Sequence, residues 1–335
     1  MRRVTVPDSA GLDRLVVEDV VDPGEPGPGE IRVRVHASSL NFHDYAIVAG
    51  LMPTASGRVP MADGAGEVEA VGAGVEAFVV GDAVVSTFFT TWLDGPPTTG
   101  EFSQVPGDGI DGFGQQIVVR PATSFTRAPA GWSHAEAATL PTAGVTAWRS
   151  LVADGGLSAG QSVLVLGTGG VSIIALQIAR AMGAEVIATT SSEAKRRRLE
   201  ELGAGATIDR TEHPEWGRRV RELTDGRGVD HVVEVGGAGT LPQSLQAVAV
   251  GGDIWQIGVL TGVTGEVPTG ALLGRQATLH GVAVGSRAHQ QQLVRALETT
   301  GIRPLIDSSF ELAQMAEAFR HQESGRHVGK IVLEH

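Results

Sequence analysis

Residues 162–172 read Ser162-Val163-Leu164-Val165-Leu166-Gly167-Thr168-Gly169-Gly170-Val171-Ser172. Val163–Leu166 is a short apolar run, the pattern of a parallel strand covered on both faces. The run stops at Gly167-Thr168-Gly169-Gly170. Beyond it Val171, Ile174, Ala175, Ile178 and Met182 recur at helical spacing until Gly183. The stretch therefore predicts strand, glycine turn and helix. Gly167 permits the tight turn, and Gly169 lets a phosphate approach the backbone. The free N–H groups and dipole at the helix start favour the anion. Ser172 stands where such a fingerprint usually has Gly or Ala. A glycine turn alone is a weak signal, because many strand–helix turns bind nothing; its surroundings must decide.

Downstream the pattern repeats. Strands are expected at 162–167, 185–190, 206–209, 230–235, 252–257 and 277–284, with helices near 171–182, 193–202, 214–224 and 239–248. That alternation is a doubly wound parallel sheet, and it makes the glycine turn a dinucleotide site. Ser133 with Glu136 forms a possible capping box where the alternation begins. Residues 1–125 differ: Ile31, Val33 and Val35 alternate with Arg32, Arg34 and His36, and glycines break the short strands that follow, as in a small barrel. Ser86–Gln116 is a long irregular stretch carrying Phe88, Phe89, Trp92, Phe102 and Phe113, which favours a packed lid. After a helix at 288–300 the tail from Arg303 to Leu333 reads as β-like.

The chain has 335 residues, enough for about two domains. Its net charge of −12 argues against nucleic acid or an anionic membrane as the main partner, so an anionic cofactor must be held by local basic residues. There is no cysteine, which excludes disulfides, thiolate catalysis and thiolate zinc sites. No apolar run approaches the ~20 residues of a membrane span, and no signal-like segment follows Arg2 and Arg3. A cytoplasmic protein is expected.

Five segments carry a family resemblance: Asn41-Phe-His-Asp-Tyr-Ala-Ile-Val-Ala-Gly50, Asp63-Gly-Ala-Gly-Glu-Val-Glu-Ala-Val-Gly72, Gly81-Asp82, Ala137-Ala-Thr-Leu-Pro-Thr-Ala-Gly-Val-Thr-Ala-Trp148 and the turn at Gly167. Over essentially its whole length the chain resembles the medium-chain dehydrogenase/reductase superfamily, most of all the zinc-free quinone oxidoreductase-like branch, often called alcohol dehydrogenase-like. The resemblance implies a GroES-like β-rich catalytic domain at 1–125 and 288–335, with a Rossmann domain at 126–287 inserted in it. It also implies that nicotinamide and substrate lie in a cleft between the domains. Zinc-dependent relatives use Cys, His and Cys or Asp as ligands; the matching positions here read Asn41, Ala62 and Thr142, so no metal is expected. Without that Lewis acid, hydride transfer to a conjugated C=C is easier than alcohol oxidation, because hydrogen-bond donors and a proton source can handle an enolate.

An NAD site usually has an acidic residue about 20 positions beyond the first glycine. Here the second strand ends in Thr190 and Ser191, followed by Lys195, Arg196, Arg197 and Arg198. Hydroxyls and positive charge suit a 2′-phosphate, which favours NADPH over NADH. Ser191 and Lys195 are the better contacts, since Arg197 is spaced to pair with Glu193 and Glu201. Arg210, after the third strand, stands where relatives often carry Tyr. The remaining cofactor candidates are Thr146, Gly167, Thr168, Gly169, Gly170, Val171, Gly236, Gly258, Val259, Gly285, Ser286 and Arg287; a glycine among them can equally be a simple turn.

The resemblance gives Asn41 a hydrogen bond to the nicotinamide amide or the substrate carbonyl. His43 and Tyr45, the only tyrosine, are candidate proton donors; the alternative is a supporting His43 and a core Tyr45. Phe88, Phe89 and Trp92 either wall a pocket for a small, moderately apolar substrate or simply pack. Lys330 matches a family tail motif with no assigned role. The reading is a zinc-independent NADPH-dependent reductase of an enone, quinone or enoyl group. A zinc-independent alcohol/ketone dehydrogenase is the second reading. A cofactor-binding scaffold or cyclase/lyase with redox activity lost is the third. A homodimer joined along the Rossmann sheet edge is expected by analogy.

Overall fold

Alternation along Glu30–Ser39 sets one face of a strand into the interior: Ile31, Val33 and Val35 are buried, while Arg34 is exposed. The computed structural model, which describes residues 1–97 and 102–335, groups these elements into two compact units. One is Met1–Val145 with Val284–His335, the other Thr146–Ala283. Segments 126–145 and 284–287, expected with the parallel sheet, therefore group with the barrel-like unit.

The first unit begins with β1 (Arg2–Thr5) and β2 (Val16–Asp19), an antiparallel ribbon. Then come β3 (Glu30–Ser39), helix α1 (Phe42–Val48), β4 (Asp63–Val71), β5 (Ala83–Ser86), β6 (Ile117–Pro121) and β7 (Phe125–Arg127). A short helix α2 (His134–Ala137) starts at Ser133, whose hydroxyl accepts from the Glu136 N–H while the Glu136 carboxylate accepts from the Ser133 N–H. A widened π-type turn, Leu140–Gly144, leads into α3 (Val145–Trp148).

The second unit alternates regularly: β8 (Ser162–Leu166), α4 (Gly170–Ala181), β9 (Glu185–Thr190), α5 (Glu193–Glu201), β10 (Ala206–Asp209), α6 (Trp216–Leu223), β11 (Val229–Glu234), α7 (Leu241–Ala247), β12 (Val248–Gln256), α8 (Thr269–Arg275) and β13 (Thr278–Gly281). The strands form a six-stranded parallel sheet in the order β10-β9-β8-β11-β12-β13. Strand order reverses beside β8, the switch point where this fold takes its ligands. β8 is buried along its whole length, as its apolar run requires.

The chain returns to the first unit through α9 (Arg287–Thr300), β14 (Ile306–Glu311), α10 (Met315–Glu323) and β15 (Lys330–Glu334). Here the sheet order is β14-β15-β3-β4-β5-β7, with β6 also on β3. Thus the tail from Arg303 is not wholly β-like. Met315, Ala318 and Phe319, spaced three and four apart, are buried in the barrel core and make α10 a helix. Among the described residues, no helix is long and apolar enough to cross a membrane.

β3 and β4 run so close that a Cβ on Gly66 would lie 1.9 Å from the Arg34 carbonyl oxygen. Gly66→Ala should destabilise the protein by about 1–3 kcal/mol, read as a lower urea midpoint; an unchanged midpoint would contradict this register.

Candidate functional site

In the second unit, Gly167 has φ +73° and its N–H donates to the Thr189 carbonyl at 3.0 Å, which turns the chain out of β8. Gly169 is the N-cap of α4, and no acidic residue occupies the first turn of the helix. A Cβ on either glycine would meet nothing within 4 Å, so the turn has open space on it. Thr168 is buried, and Gly170 and Val171 open the helix. Ser172 is explained by its hydroxyl, which donates to the Leu166 carbonyl at 2.7 Å and ties helix to strand. A dinucleotide pyrophosphate fits this cradle: N–H groups at a helix start, no competing carboxylate, and room for close approach.

The end of β9 carries Thr190, buried, and Ser191, exposed. Arg196 pairs with Glu193 and Glu200, Arg197 with Glu193, and Arg198 with Glu201. These three form a solvated helix face. Ser192 caps α5 by accepting from the Lys195 N–H at 3.3 Å. Arg210 is exposed, its N–H donates to the Thr190 carbonyl at 2.9 Å, and its guanidinium forms no ion pair among the described residues. It is an uncommitted cation beside the end of β9.

Gly236 and Gly258 have internal reasons to be glycine. Buried Glu234 accepts from the N–H groups of Gly236 and Gly237 at 2.7 and 3.0 Å and from the hydroxyls of Thr240 and Ser244. A Cβ on Gly236 would meet the Thr240 hydroxyl at 2.2 Å, and one on Gly258 the Val235 carbonyl at 2.0 Å. Close chain packing accounts for both, and the Gly236 N–H is spent on Glu234. Val259 is partly exposed, and Thr146 is buried. Gly285, Ser286 and Arg287 group with the first unit. There Ser286 caps α9 by accepting from the His289 N–H, and Arg287 donates to the Phe125 carbonyl at 2.9 Å.

In the first unit a buried polar cluster surrounds the start of α1. Asn41 is 8% exposed, and both ends of its amide are occupied. Its oxygen accepts from the Lys330 ammonium at 2.5 Å, and its nitrogen donates to Asp63 at 3.0 Å and Asp44 at 3.1 Å. Asp44 also accepts from the Ala62 N–H at 2.7 Å, and Asp63 from the Thr142 hydroxyl at 2.6 Å. Lys330 donates as well to the Leu40 carbonyl. Burial pushes Asp44 and Asp63 up to about 6, with Lys330 opposing, and burial pushes Lys330 down. Asn41, expected to reach nicotinamide or substrate, is instead saturated inside the barrel. A zinc ion does not fit this donor set: it has no thiolate or imidazole, an ammonium already sits on the amide oxygen, and both carboxylates accept N–H or O–H donors.

His43 and Tyr45 lie on the same helix but have different surroundings. The Tyr45 hydroxyl donates to Glu323 of α10 at 2.8 Å, and its ring packs toward Phe42 and Phe319. It is not brought to His43. The His43 ring stacks on Phe102 at 5.3 Å and meets the edge of Phe88 at 5.6 Å, with Asp108 at 3.5 Å from its Nε2. Phe88, Phe89 and Trp92 are 3%, 4% and 2% exposed and contact one another, so their faces are largely spent on packing. Asp108 is a residue that the sequence did not single out, and Lys330 is one that it singled out without a role. Asp108 sits between two glycines and resembles a turn residue, and Lys330 lies 289 positions from its partner Asn41.

A GroES-like barrel joined to a Rossmann unit defines a nucleotide-dependent oxidoreductase of two-domain type. The family model for the alcohol dehydrogenase GroES-like domain matches residues 27–130, and that for zinc-binding dehydrogenase matches residues 170–299. A zinc-type alcohol dehydrogenase-like protein of Schizosaccharomyces pombe is 41% identical over 99% of both chains. A solved NAD-dependent alcohol dehydrogenase is 35% identical, with TM-score 0.90 over the full length of both. A quinone oxidoreductase of Pseudomonas syringae pv. tomato is 28% identical, with TM-score 0.84 over 100% of this chain and 99% of the other. A mycobacterial protein complexed with NADPH is also 28% identical, with TM-score 0.84 over both full chains. The chain belongs to the medium-chain dehydrogenase/reductase superfamily, and it is an NAD(P)H-dependent oxidoreductase.

Two outcomes follow from the buried cluster. Lys330→Met should cost about 3–5 kcal/mol by stranding buried carboxylates, and Lys330→Met with Asp63→Asn should recover part of it; equal urea midpoints for wild type and the single variant would refute the pairing. A carboxyl held above its ordinary value of about 3.9 binds its proton more tightly when folded. The contribution of Asp44 and Asp63 is therefore fully present below that value and is lost as pH rises through about 6. Urea midpoints measured against pH should show a decline in wild type that Asp44→Asn flattens.

Proposed function

We propose that the protein is a zinc-independent, NADPH-dependent reductase of a small conjugated acceptor: an enone, quinone or enoyl group. The observation that carries this reading is the donor set at the positions where zinc-dependent relatives carry ligands: Asn41, Ala62 and Thr142 stand there, and the Asn41 amide oxygen already accepts from the Lys330 ammonium at 2.5 Å. With neither thiolate nor imidazole among these residues, they offer no ligand set for an ion that would act as Lewis acid on an alkoxide. A conjugated acceptor needs only a hydride and a proton. Bound NADPH supplies the hydride; the chain binds it, orients it and delivers the proton.

Gly167, Gly169 and the start of α4 hold the pyrophosphate, and Arg210 with Ser191 receives the 2′-phosphate. The uncommitted guanidinium and the absence of a carboxylate at the end of β9 favour NADPH, as does the NADPH complex of the mycobacterial relative. Lys195 contributes charge from the next helix. Of the two candidate proton donors His43 is the one that serves, because the Tyr45 hydroxyl already donates to Glu323. Two copies pair along β13, one of the two edges of the parallel sheet.

The NAD-dependent alcohol dehydrogenase neighbour favours a second reading, alcohol/ketone interconversion with NADH. Rates with NADPH and NADH against 9,10-phenanthrenequinone, 2-cyclohexenone and simple ketones separate the two. The first reading expects reduction of the quinone or enone with NADPH and no loss of rate after chelator treatment. Ketone reduction alone, or a tenfold preference for NADH, would overturn it. Arg210→Ala should lower kcat/KM for NADPH by about 10–100-fold, the loss of a charge-assisted hydrogen bond, and leave the NADH value nearly unchanged.

A further inference from the structure

The Nε2 atom of His43 is buried and has no hydrogen-bond partner among the described residues. It faces the Asp108 carboxylate at 3.5 Å, with both side chains 14% exposed. A buried, unpaired imidazole nitrogen is costly, and an ordinary packed histidine avoids it. Nδ1, by contrast, is neither buried nor bonded among the described residues. The two ring nitrogens are thus distinguished: one turned to a carboxylate, one open.

Asp108 does not behave as a turn residue. Asp82, Asp94 and Asp209 each accept a nearby backbone N–H: Val79 at 2.8 Å, Gly95 at 2.7 Å and Thr211 at 2.8 Å. Among the described residues the Asp108 carboxylate accepts none, and its only ion-pair partner is His43. The loop that carries it is closely fitted to the segment before β4. The N–H groups of Gly112, Phe113 and Gly114 donate to the carbonyls of Val59, Met61 and Pro60 at 2.7–2.8 Å. Thr54 donates to the Asp108 carbonyl, and Arg58 binds Asp111 and the Gly109 carbonyl. Gly107 has φ +84°, and a Cβ there would lie 2.8 Å from the Met61 nitrogen; one on Gly109 would lie 2.2 Å from Ser103 backbone. Glycines on both sides are what allow Asp108 to reach His43.

We propose that Asp108 is a positioning residue for His43: it receives the Nε2–H, holds that tautomer, and leaves Nδ1 as the atom that passes a proton to the acceptor. This rests on the reading of His43 as proton donor. The acceptor gains a hydride, two electrons and one proton, at one carbon from the reduced nicotinamide, and its C=C π pair moves to the carbonyl as an enolate. The imidazolium, protonated on both nitrogens, gives its Nδ1 proton to the enolate and is left neutral with Nε2–H retained on Asp108; a proton taken up from solvent then restores Nδ1–H. Burial pushes His43 below the ordinary imidazole value, while the carboxylates of Asp108 and Asp63 oppose it; Arg58 acts on Asp108 in turn. Together these keep the donor acidic without stranding its charge.

The test uses the full chain and its Asp108→Asn, Asp108→Glu and His43→Gln variants, each checked for an unchanged melting temperature. Long-range nitrogen–proton NMR reads the His43 tautomer without need of a substrate. Single-turnover reduction of 9,10-phenanthrenequinone and 2-cyclohexenone by NADPH reads the rate. We expect Nε2–H in wild type and in Asp108→Glu, and a mixed or Nδ1–H tautomer in Asp108→Asn. With that change kcat should fall about 10–100-fold at nearly constant KM, and the glutamate should restore most of it; His43→Gln should lose about 10²–10⁴-fold. If His43→Gln slows the reaction while Asp108→Asn changes neither tautomer nor rate, the positioning role is wrong. If the tautomer depends on Asp108 but His43→Gln reacts at the wild-type rate, the proton-donor reading fails and the proposal with it.

Discussion

One ammonium decides how the catalytic unit is built. Lys330 enters from β15, near the end of the chain, and its charge lies among Asn41, Asp44 and Asp63. Two carboxylates buried together repel each other and lose hydration, so neither is tolerable without a cation or a proton. The lysine supplies the cation and the barrel supplies the donors: Thr142 from the π-type turn, Ala62 from just before β4, and Asn41 from the cap of α1. Four segments distant in sequence are tied at one point. The antiparallel pairing of β15 on β3, with Val332 opposite Ser39, brings the lysine to that point.

That cluster also sets the direction of α1. With Asn41 at the cap and Asp44 reaching back to the Asn41 N–H at 3.0 Å, the helix has one rotational setting. His43 then faces the aromatic loop, and Tyr45 faces α10. The segregation of the two candidate proton donors is thus a consequence of the cap. The aromatic loop meets His43 with Phe102 and Phe88, whose rings cover part of the imidazole and raise the cost of charge there.

The nucleotide unit was the more legible half. Parallel strands buried on both faces announce themselves as apolar runs, and the helices between the first five show a helical period; α8, between the last two, was not expected. The six strands accordingly lie within a few residues of expectation, and the order β10-β9-β8-β11-β12-β13 follows from right-handed crossovers. Less legible was α10, because a helix of nine residues with one apolar stripe resembles alternation when read in a tail already taken as β. The roles of Gly236 and Gly258 were hidden for a related reason. A glycine's requirement lies in what would strike its missing Cβ, and those atoms belong to Thr240 and Val235 through the local turn geometry.

Local sequence determined the fold class, the strand–turn–helix cradle at Gly167 and the lack of thiolate ligands, because each depends on residues within a few positions or on composition. Tertiary structure decided which polar groups meet. Asn41 could not be known as a saturated core amide until β15 delivered Lys330, and Asp108 could not be told from a turn residue until its loop closed on the segment before β4. The reason is physical: hydrogen bonds and desolvation act over a few ångströms in space, and chain distance says little about which groups satisfy one another once the sheet has formed.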